Sequence, residues 1–259
     1  LEAYIHAAGD SQGMDLVPFY TAYRGVVRGK VEGLKLDRVE IAEADRKTAF
    51  TESRGSWLLA LGELDAPKRR PCLLLVAGLP GTGKSTLART ICDHANLQLI
   101  RSDVVRKELA DVAASSQTDF GEGIYTAKWN RRTYEECLRQ ALRLLFEGER
   151  VVVDANFRIE ADRRDFLQAA TQMGVRSGVL VCEADPQIVR ARLANRRGDA
   201  SDADWSIYER AVEGWEQPSA RTQSVLKTID TSNSLEKSVA QAMQALQQWD
   251  LAPVQDSER

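Results

Sequence analysis

Histidine is almost missing: His6 and His94 are the only two in 259 residues, and they lie far apart. A metal centre built on several imidazoles, or a triad centred on one, is therefore not expected. The four cysteines, Cys72, Cys92, Cys137 and Cys182, form no C-x-x-C pair. Cys72 and Cys182 fall in apolar strand-like runs and the other two on helical patterns, places where cysteine serves as a small buried hydrophobe. This usage indicates a reduced, cytoplasmic setting rather than a disulfide framework. No apolar run approaches the ~20 residues of a membrane span, and no charged segment followed by an apolar one opens the chain as a signal peptide would. Neither sign of charge dominates: 35 Lys and Arg stand against 38 Asp and Glu, a net charge of −3. Bulk nucleic-acid binding is disfavoured, while a local basic groove stays open.

What is present is an ordinary globular composition, 43% hydrophobic and 28% charged, which excludes a disordered or fibrous chain. The length suits one large domain, or one domain with a smaller attachment, at roughly 100–200 residues per domain. The chain opens at Leu1 inside an apolar segment and reads as part of a longer protein.

Residues 1–66 read as helical. Tyr23, Val26, Val27 and Val31 recur at helix spacing, and a second helical stretch runs from about Arg38 to Leu61. The charged, two-proline segment Asp65 to Pro71 breaks the pattern and marks a boundary, giving a helical segment over 1–66 and a second unit over 67–259. From there strands and helices alternate. Cys72–Ala77 is a continuous apolar run, as in a strand buried on both faces. Further strands are expected at Leu97–Ile100, Val151–Asp154, Gly178–Cys182 and Val225–Ile229. Helices are expected over Lys84–His94, from Asp103, and over Tyr125–Glu147, Glu160–Met173, Asp185–Arg197, Trp205–Gly214 and Ser234–Trp249. Ala113–Gly123 and Asp199–Asp204 read as mobile loops. The order predicts an α/β fold: a parallel sheet of about five strands with helices on both faces, preceded by a small helical segment.

The strongest signal is Gly78-Leu79-Pro80-Gly81-Thr82-Gly83-Lys84-Ser85, a match to G-x-x-x-x-G-K-[ST] at every fixed position, with Thr86 following. An apolar strand precedes it and an amphipathic helix follows, the context this Walker A motif requires. Backbone N–H groups of such a loop and the helix N-terminus make a phosphate cradle. Lys84 is expected to reach the β and γ phosphates of ATP, and the Ser85 hydroxyl to ligate Mg²⁺. A Gly-rich turn with no ligand is the bland alternative.

Strand two runs into Arg101-Ser-Asp103-Val-Val-Arg106. A carboxylate at that end of a parallel strand lies on the ligand-binding rim. Asp103 is a candidate to accept the proton of an acceptor hydroxyl, and Arg106, one turn on, to hold the acceptor or Asp103. Alternatively Ser102 or Asp103 caps the helix. Strand three ends in Asp154-Ala-Asn156, Walker-B-like, with Asp154 a candidate for Mg²⁺ or its waters and Asn156 for the acceptor. Arg190, Arg192, Arg196 and Arg197 share one helix; at least one of Arg192, Arg196 and Arg197 is expected to meet the nucleotide phosphates from a lid, although a solvated face is the usual fate of such a run. No N-K-x-D occurs, so a GTPase-type guanine site lacks its main support. Asp230–Ser234 is a candidate edge for the base, unless Thr231 or Ser232 merely caps the last helix.

Together, the phosphate loop, Arg101–Arg106, Val151–Asn156 and the stretch from Asp185-Pro186 through the arginines to Trp205 resemble the small P-loop kinases of the polynucleotide kinase and gluconate kinase group, over roughly Pro71–Trp249. The resemblance implies a P-loop kinase using ATP and Mg²⁺, with Asp103 as general base and Arg106 as acceptor contact. Phe19–Val31 is similar to the last helices of aminoglycoside-phosphotransferase-like domains, which implies a fusion whose N-terminal phosphotransferase-like partner is absent from this chain. The expected acceptor is a small molecule or nucleotide. Two alternatives are kept: an ATP-binding regulatory switch, and a nucleic-acid 5′-hydroxyl kinase using Arg101, Arg106, Lys107, Lys128, Arg131 and Arg132.

Overall fold

The computed structural model describes residues 7–9, 13–38, 40–115, 126–195 and 205–253. Two helices come first, α1 (Gly13–Leu34) and α2 (Glu43–Leu64), and they pack against each other. The chain then alternates through β1 (Cys72–Gly78), α3 (Lys84–Ala95), β2 (Gln98–Arg101), α4 (Ser102–Ser115), α5 (Ala127–Phe146), β3 (Arg150–Asp154) and α6 (Glu160–Gln172). It continues through β4 (Arg176–Glu183), α7 (Pro186–Ala194), α8 (Trp205–Glu213), α9 (Ala220–Ser224), β5 (Leu226–Asp230) and α10 (Leu235–Gln248).

The five strands form one all-parallel sheet in the order β2-β3-β1-β4-β5. β1 is central, and every residue of it is buried. Leu73, Leu75 and Ala77 pack into a cluster with α5 and α6, while Cys72, Leu74 and Val76 pack into another with α3 and α10. Helices on both faces leave no polar side to β1, which is why its sequence shows a run rather than an alternation. Each of its buried leucines contributes roughly 1.5–3 kcal/mol. Among the described residues, no helix is long and apolar enough to cross a membrane.

Three features differ from the sequence pattern, one being that α7 ends at Ala194 with Asn195 as its C-cap, so the helix expected to reach Arg197 stops short of Arg196 and Arg197. The short helix α9 was not expected: five residues give no readable period, and it forms behind Ser219, whose side chain accepts from Thr222 N–H at 3.3 Å. Helix α4 continues to Ser115 and takes up the start of the Ala113–Gly123 stretch expected as a loop. The remainder of that stretch, and the 199–204 loop, lie outside the described residues.

Helix α2 belongs to the core. Leu58 joins the α5–α6 cluster, the Phe50 and Phe146 rings lie 5.4 Å apart, and Arg54 Nε donates to the Phe146 carbonyl at 2.7 Å. At the foot of the sheet Arg150 is buried and splays its guanidinium. Nη1 donates to Pro67 O and Nη2 to Leu251 O, each at 2.7 Å. One side chain thus ties the segment before β1 and the segment after α10 to β3. Hydrogen bonds from a charged donor are the strong ones, and their removal orphans buried carbonyls. Arg150→Ala is expected to cost about 3 kcal/mol of stability, read as a lowered urea midpoint with an unchanged slope.

Candidate active site

The site begins where β1 runs out. Gly81 has φ +79° and Gly83 φ +84°, a region side chains disfavour. A Cβ on Gly81 would come within 2.9 Å of Val189 Cγ1 and Leu193 Cγ, so the loop lies directly under α7. Gly83 is the residue before α3, and no side chain caps that helix start, whose first N–H groups have no intrahelical partner. Lys84 curls back, with Nζ 3.5 Å from Leu79 O. A cavity of about 370 Å³ opens here, lined by Gly81, Gly83, Lys84, Ser85, Arg192 and Thr231 among others.

Asp154 enters from β3. The register sets it opposite Val76 on one side and Arg101 on the other. It is 4% exposed. Burial pushes its pKa up, and the Lys84 charge, the Ser85 hydroxyl and the Arg101 guanidinium pull it back only in part. Arg101 Nε stands 3.5 Å from Oδ2. Oδ1 is buried with no hydrogen-bond partner among the described residues. An orphaned carboxylate oxygen beside a Ser85 hydroxyl is a donor set that fits Mg²⁺, which takes one or two protein oxygens and completes its shell with water and phosphate. Among the described residues there is no cluster of three His, Cys, Asp or Glu, so a dedicated all-protein cage is absent from that part of the chain.

Asp103 lies one strand away, in the first turn of α4, and its charge is felt at Asp154. Ser102 and Asp103 are both inside the helix, so neither is the residue preceding it. Arg106, one turn further, is 6% exposed; its charge acts on the Tyr134 and Cys137 side chains of α5. Asn156 is set by a residue the sequence pattern did not single out. The Tyr134 hydroxyl accepts from Phe157 N–H at 3.0 Å and donates to Asn156 Oδ1 at 2.7 Å. Phe157 has φ +45°, an uncommon value for a bulky side chain, held here by that bond. Its carbonyl accepts from Arg163 Nη1 at 2.7 Å, while Arg163 Nη2 reaches Glu216 O at 2.5 Å, joining the loop after β3 to the segment after α8. Glu160, the partner of Arg163 Nε at 2.8 Å, is raised by partial burial, but bonds from Ser219, Thr222 and Arg163 outweigh this and lower its pKa to about 2.

The two arginines of α7 separate. Arg192 Nη2 donates to Thr231 O at 2.7 Å, and its buried Nη1, with no partner among the described residues, lies next to Gly83. Arg190 stacks over Trp205, 5.4 Å from the ring centre, away from the loop. Arg196 and Arg197 lie outside the described residues. Thr231 does not cap the last helix: that position is Ser234. Thr231 Oγ1 instead sits 2.5 Å from Thr82 O and 2.8 Å from Glu183 O, pinning the phosphate loop to the end of β4. Ser232 is no cap either; its hydroxyl accepts from Asp185 N–H at 2.9 Å. In the sequence only position pointed to these contacts, since Thr231 meets Thr82 across 149 residues.

The chain belongs to the AAA domain family, which it matches over residues 73–218. An uncharacterized protein of Mycobacterium tuberculosis (strain H37Rv) is 31% identical over 247 residues, 93% of this chain and 46% of the relative. A protein of Mycobacterium bovis matches to the same extent. The chain thus spans about half the length of the curated relatives it matches. Among solved structures, a gluconokinase from Sinorhizobium meliloti 1021 superposes with a TM-score of 0.52 at 17% identity, covering 69% of this chain and 92% of that one. A sugar kinase from Janibacter sp. HTCC2649 gives 0.54 at 14%, covering 71% and 99%. The fold is that of the P-loop kinases.

The raised pKa of Asp154 carries a stability consequence. At pH below the carboxylate range the group is neutral folded or unfolded. As pH rises from the ordinary aspartate value toward the higher folded-state one, the unfolded chain ionises first, so stability falls across that interval and stays lowered above it. Asp154→Asn is therefore expected to melt higher than the wild type at pH 7 without nucleotide, the gap closing toward pH 3, as followed by thermal denaturation across that range.

Proposed function

We propose that this protein is a Mg²⁺-ATP-dependent kinase that moves the γ-phosphoryl of ATP to a hydroxyl of a small molecule or nucleotide. One observation carries the reading: the phosphate loop, a buried carboxylate with an orphaned oxygen, and a second carboxylate one strand further on share the same end of one parallel sheet. The loop from Gly78 to Ser85, with Thr86, binds the triphosphate through backbone N–H groups. Lys84 swings from Leu79 O onto the β and γ phosphates. Ser85 and Asp154 hold Mg²⁺, which when bound neutralises charge on the phosphate oxygens. Asp103 accepts the acceptor's proton as its oxygen bonds to γ-phosphorus and the bond to the β–γ bridging oxygen breaks. Arg106 holds the acceptor side. Arg192, with one guanidinium nitrogen spare beside Gly83, is the described arginine best disposed toward the nucleotide; Arg196 and Arg197 remain candidates for the same task. In this reading residues 67–259 are the kinase domain. Residues 1–66 are the end of a phosphotransferase-like domain, whose remainder belongs to the longer protein, in keeping with the length of the relatives. Four free cysteines fit a reducing cytoplasm.

The regulatory-switch reading shares the ATP site but needs no general base, and the position of Asp103 favours the kinase. Among the described residues, at least three of the six basic candidates of the nucleic-acid reading are engaged within the chain. Arg106 is buried, Arg131 is paired with Glu135, and Arg132 lies over Trp129.

Lys84→Ala and Asp103→Asn separate the roles. Lys84→Ala is expected to lose ATP affinity and turnover together. Asp103→Asn should keep ATP affinity and lose on the order of 10²-fold or more in transfer, measured as ADP release and product phosphate over a panel of sugars, nucleosides and 5′-hydroxyl oligonucleotides. Turnover that survives both substitutions overturns the reading. ATP binding with no transfer to any acceptor assigns the site to a switch.

A further inference from the structure

Helix α1 is a layer outside α2, and its two sides are chemically different. The inner side is small: Ala22, Gly25 and Gly29 are buried, and a Cβ on Gly25 would lie 2.8 Å from Ser56 O, one on Gly29 2.9 Å from Trp57 Nε1. That close seating leaves the large side chains facing out. Leu16, Tyr20, Tyr23, Val27, Val31 and Leu34 are all exposed. Their spacing of four, three, four, four and three residues places them in one stripe along a 22-residue helix about 33 Å long. Phe50, Trp57, Leu61 and Leu64 extend the exposed apolar surface onto α2. Among the described residues, twelve of the seventeen large apolar side chains that stand exposed belong to this helix pair. Scattered exposure is normal for a soluble protein, whereas a concentrated stripe marks an interface. Beside it runs a groove of about 900 Å³, rimmed by Arg24 and Arg28.

We propose that the outer face of α1 is the surface on which the remainder of the phosphotransferase-like domain of the longer protein packs. The surface it meets there would be apolar and helical, with acidic groups opposite Arg24, Arg28 and Lys30. The inference deepens the two-domain reading above and rests on it. Relatives that match 93% of this chain carry more than half their length outside the matched region, so the match runs through the helix pair in proteins that have more chain to place against it. A helix stripe of this length suits the usual size of an interface between domains of one chain. The other side of the pair is already committed. Leu58, Phe50 and Arg54 of α2 hold it to the kinase core, so α1–α2 is a fixed bracket between the two bodies.

The test is hydrogen exchange over Gly13–Leu34 in the natural full-length protein and in residues 1–259. A helix packed on a single neighbour opens readily, so exchange there is expected to be at least tenfold slower in the full-length protein. Tyr23→Glu with Val27→Glu should abolish that slowing and leave ATP affinity unchanged, since neither side chain lines the phosphate cavity. Equal exchange in the two forms overturns the proposal while leaving the two-domain reading intact. Dimerisation of residues 1–259 that the double substitution abolishes also overturns it, and assigns the face to a second copy. A natural protein with no further domain, seen from its mass, removes the reading on which the proposal stands.

Discussion

The register between β1 and β3 is the constraint on which the site depends. Once Val76 pairs opposite Asp154, a carboxylate is held, almost fully buried, beside the phosphate loop. The sheet imposes this position: backbone hydrogen bonds of a parallel ladder cannot slip by one residue without turning every buried valine of β3 toward the wrong helix layer. The cost of a buried carboxylate is therefore carried by the fold, and the orphaned oxygen is the mark of it. Such local destabilisation is characteristic of places where a ligand completes the structure.

Long-range polar ties hold the loops around that point. Thr231 fastens the phosphate loop to the end of β4, Arg163 joins the loop after β3 to the segment after α8, and Tyr134 keeps Asn156 and the left-handed Phe157 in place. Each is a buried side chain satisfying backbone groups that the sheet and helices leave over. Arg150 does the same at the opposite end of the sheet. The apolar clusters give the domain its stability, and these few side chains decide where its connections go. The helix pair at the front follows the same division, with α2 absorbed into the core and α1 left with an apolar outer face.

Much of this was legible in the residues themselves, and for local reasons. The apolar run of β1, the glycines and Lys84–Ser85 of the loop, and the Asp-Pro opening of α7 are each encoded within a few residues, so strand, cradle and helix start could be read in order. The parallel α/β architecture followed from that alternation, because crossover helices must cover both faces. Asp154 was legible too, as an acid ending a valine run. What Thr231, Tyr134 and Arg163 do was not, because their partners lie far away in sequence and none sits in a periodic pattern; Thr231 even looked like a helix cap. Nor could an arginine-rich helix say which of its side chains turns inward. Packing of Val189 and Leu193 onto Gly81 rotates α7 so that Arg192 meets the loop and Arg190 meets Trp205. Local chemistry determined a glycine-rich Walker A loop at the end of a buried strand. Which groups converge there, and which apolar faces stay uncovered, was decided by tertiary packing, because only the folded sheet and its helix layers bring residues a hundred positions apart within hydrogen-bond reach.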